Sequence, residues 1–113
     1  MQSTEFSRML RSAREEKGWS RLQAYMKSLN VAANEIFTPD TLRKWETGEQ
    51  APMSIERIVG LAKLYGKPQL IEVRLHEAEE SIKKCSPSER KSLGEQMKKL
   101  VNFSIAYRTA NYK

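Results

Sequence analysis

The residues best equipped for chemistry stand together in one short stretch, Thr38-Pro39-Asp40-Thr41-Leu42-Arg43-Lys44-Trp45-Glu46-Thr47-Gly48. Arg43 and Lys44 donate to anions, Asp40 accepts, and the hydroxyls of Thr38, Thr41 and Thr47 do either. Such a set recognises a polar surface; it holds no nucleophile beside a base. Elsewhere the chain offers little else. His76 is the sole histidine and has Glu72, Glu79 and Glu80 at helical distances, but one histidine among scattered carboxylates reads as a solvent-facing residue rather than a metal site. Cys85 is the sole cysteine, so neither a disulfide nor a paired-cysteine metal site is available. Ser20 has no base or oxyanion arrangement beside it. There is no glycine-rich phosphate cradle and no carboxylate pair spaced for acid–base work. Recognition without catalysis, metal or cofactor is the expectation.

The elements that must position this stretch follow from periodicity and caps. Thr38 reads as an N-cap, Pro39 suits the first helical position, Asp40 favours the positive helix end, and Gly48 closes a short third helix over about residues 39–46. Leu42 and Trp45 alone point inward. Before it, Thr4 caps a first helix over about 5–17, with Phe6, Met9, Leu10 and Ala13 on one face and Gly18 as its stop. Ser20 caps a second, over about 21–33, whose buried stripe is predicted as Leu22, Tyr25, Met26, Leu29 and Ala33, with Asn34 to Phe37 as a turn. Ser54 caps a fourth, with Ile55, Ile58, Val59, Leu61, Ala62 and Tyr65 inward and Gly66 at its end. Trp19, Trp45, Tyr25 and Tyr65 all read as core rather than as base-stacking platforms.

Charge and composition bound the partners. The chain has 113 residues, 39% hydrophobic and 30% charged, the profile of one soluble globular domain. A net charge of +6 permits a polyanionic partner, nucleic acid first. The excess leans to the end of the chain, +4 over residues 67–113 against +2 over 1–66. The opening MQSTEFSRML lacks the apolar core of a secretion signal, and no apolar run approaches the ~20 residues of a membrane span. A cytoplasmic protein without membrane contact is expected.

A helix entering a DNA major groove must expose its first turns and outer face, keeping only a narrow stripe for packing. The third helix fits that requirement. A second helix must brace it, and Ser20-Arg21 at the start of helix 2 can offer amides and a cation to a phosphate. Three strings carry a family likeness: RSAREEKGWS, with Arg14, Gly18 and Ser20; FTPDTLRKWETGEQAP, with the order W-E-x-G-x-x-x-P over Trp45, Glu46, Gly48 and Pro52; and IERIVGLAKLYG. Over roughly residues 4–66 the chain resembles the Cro/cI-type (XRE) helix-turn-helix family of phage and bacterial repressors. The resemblance implies an all-α, lambda-repressor-like bundle, here with two additional C-terminal helices. It makes helix 3 the recognition helix, with Pro39, Asp40 and Lys44 facing bases, Thr38 at the edge near a phosphate, and Arg43 beside the base-facing row. Ser20, Arg21, Thr41 and Thr47 complete the expected DNA-binding set. It also pairs Arg14 with Glu46 as a structural ion pair. Two departures stand out: Pro39 and Asp40 replace the amide or hydroxyl side chains many relatives carry at base-facing positions, and Asn30–Ile36 lengthens the turn before helix 3.

Beyond the expected DNA-binding domain of residues 1–66, residues 67–113 read as a helical extension. Helix 5, about 69–84, carries Ile71, Leu75, Ala78 and Ile82 at a seam-like spacing, with Leu70 and Val73 alongside. Ser86-Pro87-Ser88-Glu89 restarts a sixth helix carrying Leu93, Met97, Leu100, Val101, Ile105 and Tyr107. These stripes need a partner surface. They either fold back on the domain or bury themselves against a second copy; the favoured expectation is a homodimer built from Ile71, Leu75, Ala78, Ile82, Leu93, Met97, Leu100, Val101 and Ile105. The resulting reading is a transcription regulator, a repressor on a two-fold operator. The alternative is a protein-interaction module, such as an antitoxin or a regulatory partner subunit, using the C-terminal helices.

Overall fold

Each of the first four helices begins where a short polar side chain satisfies an open backbone amide. Thr4 accepts from the amide of Ser7, Ser20 from that of Gln23, Thr38 from that of Thr41 and Ser54 from that of Arg57. The computed structural model describes residues 3–31, 35–84, 86–88 and 95–111. Among them the protein is all-α, in the order α1 (Glu5–Lys17), α2 (Arg21–Ser28), α3 (Pro39–Thr47), α4 (Ile55–Tyr65), α5 (Gln69–Lys83) and α6 (Glu95–Asn111). No helix among these residues is long and apolar enough to cross a membrane.

Two clusters of buried side chains hold the helices. The larger joins Phe6, Leu10 and Ala13 of α1, Ala24 of α2, Leu42 and Trp45 of α3, Leu61, Leu64 and Tyr65 of α4, and Leu70 of α5, with Ile36 and Phe37 between α2 and α3. The smaller joins Ile58 of α4, Leu75 and Ala78 of α5 and Leu100 of α6, bordered by Ile55, Ile71, Phe103 and Tyr107. Helix α5 serves both. Leu70 and Val73 reach the larger cluster, while Ile71, Leu75 and Ala78 lie one turn-edge away and reach the smaller.

Polar ties reinforce this placement. The Glu77 carboxylate accepts from the backbone amide of Phe6 at 3.0 Å, closing an amide in the first turn of α1. The Arg74 guanidinium is buried; its Nε donates to the Pro52 carbonyl at 2.8 Å and its Nη2 lies 3.3 Å from the Met53 sulfur. Burial lowers the Arg74 pKa, against the favourable charge of Glu77. On α6, the buried Ser104 hydroxyl bonds the Glu79 carboxylate of α5. The division expected at residue 66 therefore passes through a packed and hydrogen-bonded core.

Three expectations are corrected. Helix α2 ends at Ser28, and its buried residues are Ala24 and Ser28. Leu22, Met26 and Leu29 stand 59%, 60% and 51% exposed. Of the expected stripe, Tyr25 packs half-buried against the larger cluster, and Ala33 lies outside the described residues. In the same region, Ile36 and Phe37 are core residues rather than turn residues. Ile36 packs on Gly60, where an added Cβ would stand 2.7 Å from the Ile36 Cδ1, so a side chain here would require Ile36 to shift. Finally, Leu75, Ala78 and Leu100 are buried within this chain, and Ile71 borders the same cluster. Leu75, Ala78 and Leu100 face inward because α6 folds back along α5, whereas Ile71 stays half-exposed at the border. Val101 is half-buried and Ile105 exposed, while the inward residues of α6 are Leu100, Phe103, Ser104 and Tyr107. Leu93, and the side chains of Ile82 and Met97, lie outside the described residues.

Candidate nucleic-acid interface

Helix α3 is held by its C-terminal half and presents the rest. Leu42, Trp45 and Glu46 are its buried residues. Trp45 meets Phe37 edge-on at 6.1 Å between ring centroids, which anchors the linking segment under the helix. At the other end Thr38 caps, Pro39 occupies the first turn, and the Thr38 and Thr41 hydroxyls lie 3.0 Å apart. Gly48, at φ 85°, reverses the chain in the left-handed conformation that a side chain would strain. The Gln50 amide then reaches back to the Lys44 carbonyl at 3.2 Å.

Glu46 fixes the orientation of this helix. Its side chain is fully shielded, and the Arg14 guanidinium meets it with two parallel bonds, Nε to Oε2 at 2.7 Å and Nη2 to Oε1 at 3.0 Å. The same guanidinium donates from Nη1 to the Trp19 carbonyl at 2.8 Å, so one arginine joins α1, the turn after it and α3. The bond to Glu46 raises the Arg14 pKa. The expected structural pair is present. Arg21 adds a third member, its Nε donating to Glu46 Oε1 at 3.2 Å. That bond brings the start of α2 to the end of α3. It also occupies part of the cation assigned to a phosphate, although the Arg21 side chain keeps 34% of its exposure.

The outward residues of α3 form a second network. Arg43 Nε donates to Asp40 Oδ1 at 3.2 Å, and its Nη2 lies 3.2 Å from the same oxygen. Its Nη1 donates to Glu49 Oε2 at 2.9 Å. Lys44 Nζ stands 3.6 Å from Asp40 Oδ2. Asp40, then Glu49, raise the Arg43 pKa through these bonds. Thr47 donates to the Lys44 carbonyl at 3.2 Å and approaches Glu49 at 3.3 Å. Thus Thr38, Asp40 and Thr47 are exposed, and Pro39, Thr41, Arg43 and Lys44 are half-exposed. Ser20 is exposed too, but both its hydroxyl and its amide are engaged in a capping box with Gln23.

Glu49 was not among the residues expected here. Its signal lay in Gly48: a left-handed stop returns the next residue alongside the last turn, opposite Arg43. Trp19, half-buried against Tyr65, has the Lys17 and Lys27 ammonium groups each 6.0 Å from its ring centroid, so it is a packing residue as expected. Cys85 lies outside the described residues, and among those described no cluster of His, Cys, Asp or Glu is arranged for a metal ion. No protein-family model, curated protein or solved structure matches the chain.

Proposed function

We propose that this chain is a sequence-specific regulator of transcription of the Cro/cI helix-turn-helix type. In this reading it binds double-stranded DNA through α3 and acts as a repressor, a homodimer on a two-fold operator. One observation carries the reading. Helix α3 is tied from behind by Arg14 and Arg21 to Glu46, while its Asp40, Arg43, Lys44 and Thr47 lie on its outward side, linked to one another and to Glu49. A scaffold that immobilises a short helix while exposing hydrogen-bonding side chains along it suits base reading in a major groove. Regulation then follows from occupancy of a promoter-proximal site, without chemistry.

Selection of bound duplexes from a randomised pool tests this directly. The expected product is an inverted repeat whose half-sites lie about one helical turn apart, ~34 Å. Arg43→Ala and Lys44→Ala should each weaken binding to the enriched duplex by about 1–3 kcal/mol, with helical circular dichroism intact. A pool that emerges unenriched would remove the reading.

The second reading, a protein-interaction module, is favoured by the apolar exposure of Leu22 and Met26 on α2 and of Leu29 at its C-cap. Ile105 on α6 is exposed as well, so the C-terminal helices expected to serve such a module keep an apolar residue on the surface. A pull-down repeated after nuclease treatment separates the two: partners that persist without nucleic acid favour the module.

A further inference from the structure

We propose that Arg43 reads a guanine, and that Asp40 and Glu49 are positioning residues that set its selectivity; this rests on the DNA-binding reading above. A guanidinium carries five N–H protons. Arg43 Nε donates to Asp40 Oδ1 at 3.2 Å, its Nη2 lies 3.2 Å from the same oxygen, and its Nη1 donates to Glu49 Oε2 at 2.9 Å. One proton on Nη1 and one on Nη2 have no partner among the described residues. When both are turned end-on toward a base, the Nη1 and Nη2 donors of a guanidinium match the O6 and N7 acceptors that guanine presents in the major groove. A free arginine samples many rotamers and loses that freedom on binding. An arginine held on two sides by carboxylates, one from its own helix and one from the turn after Gly48, loses less.

The same carboxylates act against the wrong ligand. Arg43 and Lys44 supply two positive charges to this face, and Asp40 and Glu49 supply two negative ones, so the face is locally neutral. A phosphate approaching Arg43 side-on meets Asp40 first. A guanine edge, uncharged, does not incur that repulsion. The arrangement thereby favours base edges over backbone. The pairs are half-exposed, so they contribute little to folding and their removal leaves the helix in place.

The test uses the full chain and four proteins: wild type, Asp40→Asn with Glu49→Gln, Arg43→Lys, and Arg43→Ala. Each is titrated with the enriched duplex, with that duplex carrying adenine for guanine at each position in turn, and with random duplex across a salt series. The wild type should prefer one guanine by on the order of ten- to a hundredfold. Both Arg43 variants should reduce that preference to within a few-fold. The Asp40→Asn/Glu49→Gln protein should do the same while binding random duplex more tightly, its salt slope steeper by up to about 0.9 for each cation released to phosphate. If the wild type enriches a sequence but no guanine preference depends on Arg43, the assignment fails and the DNA-binding reading stands. If Arg43 carries the preference and the double variant keeps it, the role of the two carboxylates is overturned. A wild type that selects no sequence removes both.

Discussion

Tyr65 carries its hydroxyl into the core, where it has no hydrogen-bond partner among the described residues. Burial raises its pKa well above the ordinary value of 10.0, with the charge of Glu46 adding to the effect. The sign of the consequence is definite. As pH climbs past 10 the unfolded chain releases this proton and the folded one keeps it, so the unfolded state gains and stability falls. Tyr65→Phe should therefore be more stable than wild type by about 1 kcal/mol at neutral pH, since a stranded polar group is removed. The margin should widen above pH 10, as read by urea denaturation across pH 7–11. A margin that stays constant would show that the hydroxyl is solvated in the fold. Glu46 behaves oppositely. Glu46→Ala leaves two arginines around an emptied site and should cost about 3 kcal/mol in the same assay, most of it absent in an Arg14→Ala background. The Arg14–Glu46 pair was legible in the sequence because the resemblance supplied it. Arg21 and Glu49 were not, because their partners are set by how closely α2 starts beside the end of α3 and by the reversal at Gly48.

At the scale of elements, caps and glycine stops were read correctly for α1, α3 and α4, since these depend on local chemistry alone. Helix α2 was misread for a physical reason. Its large apolar residues repeat at helical spacing, but burial is decided by the neighbouring helices, and here Ala24 and Ser28 are the buried positions while Tyr25 packs at the edge. The displaced apolar volume is supplied from outside a helix, by Ile36 and Phe37, which no periodicity marks. Gly60 records the same fit from the other side. Alanine is the better helix former by about 1 kcal/mol, yet Gly60→Ala should destabilise by about 1–2 kcal/mol because the new methyl overlaps Ile36. In an Ile36→Val background that penalty should shrink, as thermal unfolding of the four proteins of the cycle would show. Equal penalties in both backgrounds would mean that the segment moves aside freely.

For the molecule as a whole, the helical class was legible and the division of labour was not. The seam-like spacing in α5 suits either a dimer or a return onto the chain, and sequence periodicity does not distinguish two partners of the same apolar character. Leu75 and Ala78 pack with Ile58 and Leu100 within the chain, which places these two seam residues in its own core. A fragment of residues 1–66 should accordingly lack a cooperative thermal transition, whereas a fragment of residues 1–84 should keep one at lower temperature, since it retains the larger cluster and uncovers only the smaller. The tie between Glu77 and Phe6 spans 71 positions of sequence, and it also orders events during synthesis. The first helix emerges from the ribosome 71 positions ahead of the carboxylate that closes its first turn. At about 5–20 residues per second that interval lasts several seconds. Throughout it the nascent chain shows Phe6 and Leu10 to its surroundings without their α5 cover, so the window in which a chaperone or an aggregate can capture this protein is set by the distance in sequence between its first helix and its fifth.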